Sequence, residues 1–366
     1  MIRRLKHSAL ALSKNSGVSA LIGRSAWRRE RLLVLCYHGI SLRDEHKWNP
    51  ELYMSAATLA GRLDALARME CHVLPLAEAL ERLYQRALPD RAVALTFDDG
   101  YFDFKQQAFP LLQRHGLPAT VYLTTQRCDH NRPIVNLILP YVLWMKRAES
   151  LHGRGLPGLE EKTWPLQTVE QRARVCGLIA AHSKQLKLSP TAKDDVVRQI
   201  SARLGVSYDR LADERMLTVM NPQEVSEMSA AGVEIQLHTH RHHTPEEPEL
   251  FVNEIRKNRE RIEAMTGIRP VHFCYPSGVY RKSYLPLLQS EGVISATTCE
   301  RGMGATDVNP LLMPRFVDTE DTTVDEFEAW LLGAAEWLPR RKPAGPVDVT
   351  DVHSSTAVGS DAVRLA

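Results

Sequence analysis

Residues 93–100 read VALTFDDG, an apolar run that ends abruptly in two adjacent carboxylates and a glycine. A short apolar run bounded by turn residues predicts a buried strand, which here covers residues 92–97. Asp98 and Asp99 would then follow the carboxyl end of that strand. In parallel α/β folds the chemistry takes place at this end of the strands.

A second polar cluster ends another apolar run far downstream, where residues 238–243 read HTHRHH. Val233, Ile235 and Leu237 alternate with other residues before it, which predicts a strand. Each cluster alone is weak evidence, because the chain has 14 histidines and Asp-Gly is a common turn. Together, two acids and a His-x-x-x-His at strand ends can combine a metal site with a neighbouring base, as metal-assisted hydrolysis requires.

Strand and helix patterns alternate through most of the chain, which indicates a parallel sheet covered by helices. We expect strands at 32–37, 73–76, 92–97, 119–125, 233–237, 271–275, 293–298 and 311–317. Helical spacing occupies 54–69, 76–87, 102–115, 247–265, 280–290 and 324–338, and Asn221, Pro222 and Glu224 form a further helix start. About seven or eight strands, each followed by a helix, favour a (β/α) barrel over an open sheet.

Three segments depart from this rhythm. Residues 128–220 carry amphipathic helical patterns, and we interpret them as a mostly helical insertion in a loop at the active face. Residues 1–31 are basic, and they fit either an amphipathic helix on an anionic membrane surface or a helix packed on the domain. Polar residues interrupt their apolar positions, so we expect neither a secretory signal nor a membrane span there. Residues 339–366 are rich in Pro, Gly, Ser and Asp and are expected to be disordered.

The composition is that of an ordinary globular protein, with 44% hydrophobic and 25% charged residues. The net charge of +2 gives no indication of a nucleic-acid partner. The six cysteines are scattered without a C-x-x-C pair, which favours free thiols in a reducing compartment. We therefore expect a cytoplasmic protein, either free or peripheral at the inner face of the membrane; the sequence carries no signal for an oligomeric state.

Three motifs in order resemble those of the NodB-type polysaccharide deacetylases. The stretch 96–100, TFDDG, resembles the first motif of that family, and 238–242, HTHRH, resembles its second, H-[ST]-x-x-H. The stretch 273–280, FCYPSGVY, is similar to the third motif, whose usual form is close to F-R-x-P-Y-G. The resemblance covers roughly residues 32–335. It implies a distorted (β/α) barrel with a divalent metal, most often zinc.

The resemblance also implies residue roles. Asp99, His238 and His242 would bind the metal, and Asp98 would be the general base. The backbone N–H of Ser277, at the family's Tyr position, would stabilise the oxyanion together with the metal. A general acid must then protonate the leaving amine.

Two departures from the family pattern leave alternatives open. Cys274 stands where many members have the Arg that orients the catalytic Asp; Arg315 either replaces that Arg or forms a surface ion pair. The family's late L-x-H motif, source of the usual acid histidine, has no clear match, since Val352-His353 lies in the expected disordered tail. His38, at the end of the first strand, is better placed, as are His240 and His243. The alternative for His38 is a structural histidine bonded to a backbone carbonyl.

Two classes of function fit these features. The first is a metal-dependent hydrolase that removes N-acetyl groups from amino sugars of a surface polysaccharide or glycolipid precursor; other non-peptide C–N bonds remain open as targets. The second is a non-catalytic barrel that binds a glycan or a partner. The intact set of two acids and two histidines favours the enzyme, because a binding protein needs no base beside a metal.

Overall fold

The computed structural model describes residues 17–337. The described chain forms two compact units, one from residues 17–129 and 220–337 and the other from residues 130–219. Residues 1–16 of the basic N-terminal segment and the predicted disordered tail, 339–366, lie outside the described residues, and so does His353.

Strands and helices alternate along the first unit as the sequence pattern predicts. The elements of both units are numbered together in chain order. The strands are, in chain order, β1 (Leu33–Tyr37), β2 (Gly39–Ile40), β3 (Tyr53–Met54), β4 (His72–Val73), β5 (Ala92–Phe97), β6 (Thr120–Leu123), β7 (Ser150–His152), β8 (Thr163–Pro165), β9 (Glu234–Leu237), β10 (His272–Cys274), β11 (Ser295–Thr297) and β12 (Phe316–Val317). The helices are α1 (Val18–Gly23), α2 (Ala26–Arg29), α3 (Glu45–Trp48), α4 (Ala56–Arg68), α5 (Leu76–Tyr84), α6 (Phe109–His115), α7 (Val135–Met145), α8 (Val169–Gln185), α9 (Pro190–Arg203), α10 (Tyr208–Asp213), α11 (Pro222–Ala230), α12 (Pro248–Thr266), α13 (Tyr284–Ser290) and α14 (Val324–Leu332).

The main sheet is parallel throughout and curls into a barrel. Seven of its strands follow the order β11-β10-β9-β6-β5-β1-β12, and β4 pairs with the first residues of β5. Met313 forms a parallel bridge to Thr297 of β11, and three residues later Phe316 pairs with Leu35 of β1. The segment that ends in the edge strand β12 therefore also contacts β11, the strand at the opposite edge. The predicted distorted (β/α) barrel of about seven strands is confirmed.

Alternate residues of these strands form one buried apolar cluster. It contains Val34, Ala94, Tyr122, Cys274 and Met313, and the apolar face of α5 packs against it. Side chains two residues apart on a strand share a face, so the next positions toward the carboxyl ends, Cys36, Thr96 and Asp98, continue the same inward row. Apolar packing thus gives way to polar side chains at the carboxyl end of the barrel.

Helix boundaries follow local signals in most places. The predicted start at Asn221 is confirmed: its side chain accepts the Glu224 N–H, and the Glu224 carboxylate accepts the Asn221 N–H. The predicted helix 102–115 instead contains a π-helical turn, Phe104–Ala108. Pro110 explains the difference, because its ring has no N–H and crowds the carbonyl four residues earlier.

The second unit contains four helices, α7 to α10, and an antiparallel hairpin of β7 and β8. The hairpin departs from the mostly helical insertion that the sequence pattern predicts. Its strands have three residues each, which is too short for a two-residue period to stand out.

Residues 17–31 pack against the rest of the first unit. The Trp27 and Trp337 rings lie 5.4 Å apart. Arg28 is fully buried and donates to the carbonyls of Leu331 and Ala92. Within residues 17–337, none of the helices combines the length and the apolar character needed to cross a bilayer.

Candidate active site

The loops at the carboxyl ends of the parallel strands carry the polar residues singled out in the sequence. Register places Tyr37 beside Phe97, and the Asp98 N–H donates to the Tyr37 carbonyl at 2.9 Å. His38 and Asp98 therefore leave their strands side by side. His238 follows β9 directly, and β9 reaches β5 through β6. The closed parallel sheet brings residues that are far apart in sequence to one rim.

Asp99, His238 and His242 form a group that can hold a metal ion. The Asp99 Oδ1 atom lies 3.3 Å from His238 Nε2 and 3.2 Å from His242 Nε2. This buried oxygen has no hydrogen-bond partner among the described residues. The His238 Nδ1 atom lies 2.8 Å from the Cys274 carbonyl, so Nδ1 donates to that carbonyl and Nε2 faces Asp99.

This donor set fits a divalent cation. A buried carboxylate oxygen that faces two imidazole nitrogens and accepts no hydrogen bond is an orphaned acceptor, and a cation satisfies all three atoms at once. Two imidazoles and one carboxylate are a familiar ligand set for zinc, with a position left open for water or substrate. Burial is the largest influence on the pKa of His242 and lowers it, which favours the neutral, ligating form.

The backbone around these side chains takes conformations that ordinary residues avoid. Asp99, Thr239 and His242 have φ angles of 70°, 61° and 55°. Each such residue costs about 1–2 kcal/mol relative to the right-handed region. Gly100 also has a left-handed backbone, with φ 74°, and a Cβ there would lie 2.2 Å from Leu123 Cδ1, so any other residue would be strained and would require Leu123 to move. Left-handed residues persist at the site because the surrounding contacts hold them.

Asp98 is held by a fully buried arginine. The Arg315 Nη1 and Nη2 atoms donate to Asp98 Oδ1 and Oδ2, both at 2.8 Å, and Arg315 Nε donates to the Thr298 carbonyl. Arg315 is 0% exposed and Asp98 is 3% exposed, so the pair is not a surface contact. Burial alone would raise the pKa of Asp98, but the guanidinium holds it well below its usual range.

Cys274 lies against this ion pair. Its Sγ atom is 3.1 Å from Arg315 Nη2 and 3.3 Å from Asp98 Oδ2. The position where the family motif usually has Arg is thus occupied by a small side chain, and the guanidinium beside Asp98 comes from the segment between Met313 and β12.

The remaining candidate residues from the sequence lie in loops at the same rim. His38 Nε2 lies 3.8 Å from Asp98 Oδ2, and its side chain is 20% exposed. Ser277 is exposed and has φ 55°, in the turn Pro276–Gly278 that follows β10. The His240 ring bonds to the Thr125 hydroxyl at 3.0 Å, and His243 points to solvent.

The sequence motifs do not include two residues that contact the loop of residues 238–243, which we call the histidine loop. Glu254 and Asn258 on α12 are both buried, and they bond to the loop that follows β9. The sequence does mark them in one way, because these two polar residues interrupt the apolar helix face formed by Phe251, Ile255 and Ile262.

Comparison with known proteins identifies the family. A family model described as polysaccharide deacetylase matches residues 85–174 and 192–294. The poly-beta-1,6-N-acetyl-D-glucosamine N-deacetylase of Escherichia coli (strain K12) is 31% identical over 103 residues, which are 27% of this chain and 15% of that protein. YxkH of Bacillus subtilis (strain 168) is 30% identical over 111 residues, 29% of this chain and 38% of that protein. Both matches thus span well under half of the relative's length.

Two solved structures share the fold. The Streptococcus pyogenes deacetylase PplD, in complex with acetate, aligns with a TM-score of 0.53 and 15% identity over 84% of this chain and 98% of that one. IcaB from Ammonifex degensii aligns with a TM-score of 0.53 and 16% identity over 83% of this chain and 97% of that one. The family model covers more than half of the 366 residues, and the protein therefore belongs to the polysaccharide deacetylase family.

Proposed function

We propose that this protein is a metal-dependent hydrolase that removes N-acetyl groups from amino sugars of a surface polysaccharide or glycolipid precursor. The observation that carries the proposal is the unpartnered Asp99 Oδ1 between the Nε2 atoms of His238 and His242, with the ionised Asp98 next in sequence. A non-catalytic glycan-binding barrel, the alternative function, has no use for this pairing of ligands and carboxylate.

Asp99, His238 and His242 would hold the metal ion, and zinc suits their donor atoms best. When bound, the ion supplies a Lewis acid that polarises the amide carbonyl and lowers the pKa of water. Membership of the family supports a metal requirement.

Asp98 is proposed as the general base. Its carboxylate stays ionised and accepts a proton from the attacking water at an oxygen that Arg315 holds in place. Arg315 is then a positioning residue, which acts through Asp98 by two parallel hydrogen bonds. The rigid guanidinium fork fixes the plane of the carboxylate, which a single lysine ammonium would leave free to rotate.

His38 is proposed as the general acid. Its ring lies beside Asp98, and its partial exposure gives it access to a substrate at the rim. It donates a proton to the leaving amine, which departs poorly as an anion. The Ser277 N–H, in an exposed left-handed turn at the same rim, would donate to the oxyanion.

The substrate class rests on the relatives. The E. coli relative is named for de-N-acetylation of poly-beta-1,6-N-acetyl-D-glucosamine, which favours an N-acetylated amino sugar over other C–N substrates.

We further propose that the protein works in the cytoplasm, at the inner face of the membrane. All six cysteines are free thiols, which suits a reducing compartment. Leu21 and Trp337 are 71% and 68% exposed on neighbouring elements, close to the exposed Arg24 and Arg29. Exposed apolar and cationic side chains together suit a bilayer with anionic lipids.

Release of acetate from a panel of N-acetylated saccharides, with zinc and with chelator, tests the main proposal. We expect turnover that chelator abolishes and zinc restores. His238→Ala with His242→Ala should lose both metal and turnover. Asp98→Asn should keep the metal and lose turnover by about 10²–10⁴-fold, as expected for a general base.

The matched control is His243→Ala, which removes an exposed histidine next to a ligand and should keep metal and turnover. Acetate release that persists without metal would contradict the proposal. Full metal stoichiometry in the double histidine variant would contradict the ligand assignment.

The role of His38 can be tested by comparing two leaving groups. An aryl acetate leaves without protonation, whereas an amine must be protonated. His38→Ala should therefore lower N-deacetylation by about 10²–10⁴-fold and leave aryl acetate hydrolysis within about tenfold of the wild type. Equal losses on both substrates, at unchanged metal content, would exclude His38 as the acid.

The buried ion pair predicts a large effect on stability. Arg315→Met should lower the free energy of unfolding by about 3–5 kcal/mol, because it leaves the Asp98 charge buried and unpaired. Adding Asp98→Asn should restore part of that loss in denaturant unfolding. Arg82→Ala breaks an exposed pair with Glu78 and should cost at most about 1 kcal/mol. Similar losses in Arg315→Met and Arg82→Ala would show that the pair contributes little.

Vesicle sedimentation tests membrane contact with the full chain. We expect binding to vesicles with anionic lipid and little binding to zwitterionic ones, with weaker binding at high salt. Leu21→Glu should weaken binding, whereas Val169→Glu, at another exposed apolar position, should not. Equal binding to both vesicle types, or none, would contradict the proposal, as would fractionation that places the protein outside the cytoplasmic membrane.

A further inference from the structure

Helix α12 carries two buried polar side chains on an otherwise apolar face. Glu254 is 2% exposed and Asn258 is fully buried. Residues four apart share one face of a helix, and here that face packs toward β9 together with Phe251 and Ile255. Buried carboxylates and amides require hydrogen-bond partners.

Asn258 connects the ends of two strands. Its Oδ1 atom accepts the His238 N–H at 2.9 Å. Its Nδ2 group donates to the Leu123 carbonyl at 2.9 Å and to the Thr125 hydroxyl at 3.1 Å. The amide therefore fixes the backbone of His238 against the end of β6.

Glu254 holds the loop between the two histidines of the candidate metal site. Its Oε2 atom accepts the Arg241 N–H at 2.8 Å, and its Oε1 atom accepts Arg241 Nε at 2.6 Å. Arg241 immediately precedes His242, so this carboxylate restrains the backbone that presents the His242 ring.

The loop needs such restraint because two of its residues have left-handed backbones. Thr239 has φ 61°, unfavourable for a β-branched residue, and His242 has φ 55°. Inside the loop, the His243 N–H donates to the Thr239 hydroxyl at 3.0 Å. The bonds to Glu254 and Asn258 tie this turn to a helix of 19 residues.

We infer that Glu254 and Asn258 are positioning residues that set the placement of His238 and His242 and thereby the metal affinity. Asn258 fixes the first histidine at its own N–H, and Glu254 fixes the second through the residue before it. Neither side chain touches the metal ligand atoms. The inference rests on the proposed metal site and extends it to a helix that contributes no ligand.

The test measures zinc affinity of the folded full-length protein by competition with a chromophoric chelator. Glu254→Ala and Asn258→Ala should weaken zinc binding by about 10–100-fold, the usual effect of losing groups that orient ligands. The visible spectrum of the cobalt-substituted protein should change in both variants. In metal-free protein, amide hydrogen exchange in residues 238–243 should become faster.

Matched controls come from the exposed face of the same helix. Asn253→Ala and Glu260→Ala remove the same side-chain types at exposed positions and should leave affinity, spectrum and exchange unchanged. Glu254→Gln keeps one acceptor oxygen and nearly the same volume, so it should fold even where Glu254→Ala does not, and its affinity should lie between those of the wild type and Glu254→Ala.

The outcomes distinguish failure of the proposed metal site from failure of the positioning role. Wild-type protein that binds no zinc would overturn the proposed metal site. Wild-type protein that binds zinc, with folded Glu254→Gln and Asn258→Ala variants of equal affinity and spectrum, would overturn the positioning role and leave only a contribution to packing.

Discussion

The site depends on one buried ion pair, between Arg315 and Asp98. Removing two charges from water costs several kcal/mol for each ion, and good geometry with further hydrogen bonds is needed to offset that cost. Here both carboxylate oxygens are bonded, and Arg315 Nε also bonds to the Thr298 carbonyl. The pair therefore joins the end of β5 to the chain around β11 and β12, where the barrel closes.

Cysteine side chains lie around this ion pair. Cys36 and Cys274 lie 3.6 and 3.3 Å from Asp98 Oδ2. Burial raises the pKa of Cys36, and it also raises the pKa of Cys299, so these thiols stay neutral. Asp98 provides the only carboxylate that pairs with the Arg315 guanidinium among the described residues.

Different constraints fix the ligand side of the site. Strand register determines the positions of Asp98 and Asp99 at the end of β5. In contrast, a loop with left-handed residues presents His238 and His242. A metal site tolerates little displacement of its ligands, so the proposed site requires this loop to be held from outside. Bonds from a long helix, from Thr125 after β6 and from the Cys274 carbonyl provide that support.

Sequence by itself determined the alternation of strands and helices, the barrel class and the residues at the strand ends, because burial and chain direction leave short-range patterns. The TFDDG and HTHRH stretches follow predicted strands, so the sequence alone places them at the carboxyl ends of the sheet. Only the tertiary structure decided that Arg315, 217 positions from Asp98, faces that carboxylate across the closed barrel, and that Glu254 and Asn258 hold the histidine loop. Local pattern marks Arg315 as a charge near a strand end and shows Glu254 and Asn258 interrupting an apolar helix face. It does not give their partners, because those depend on which strand ends meet when the sheet curls and on which side of the helix then faces them.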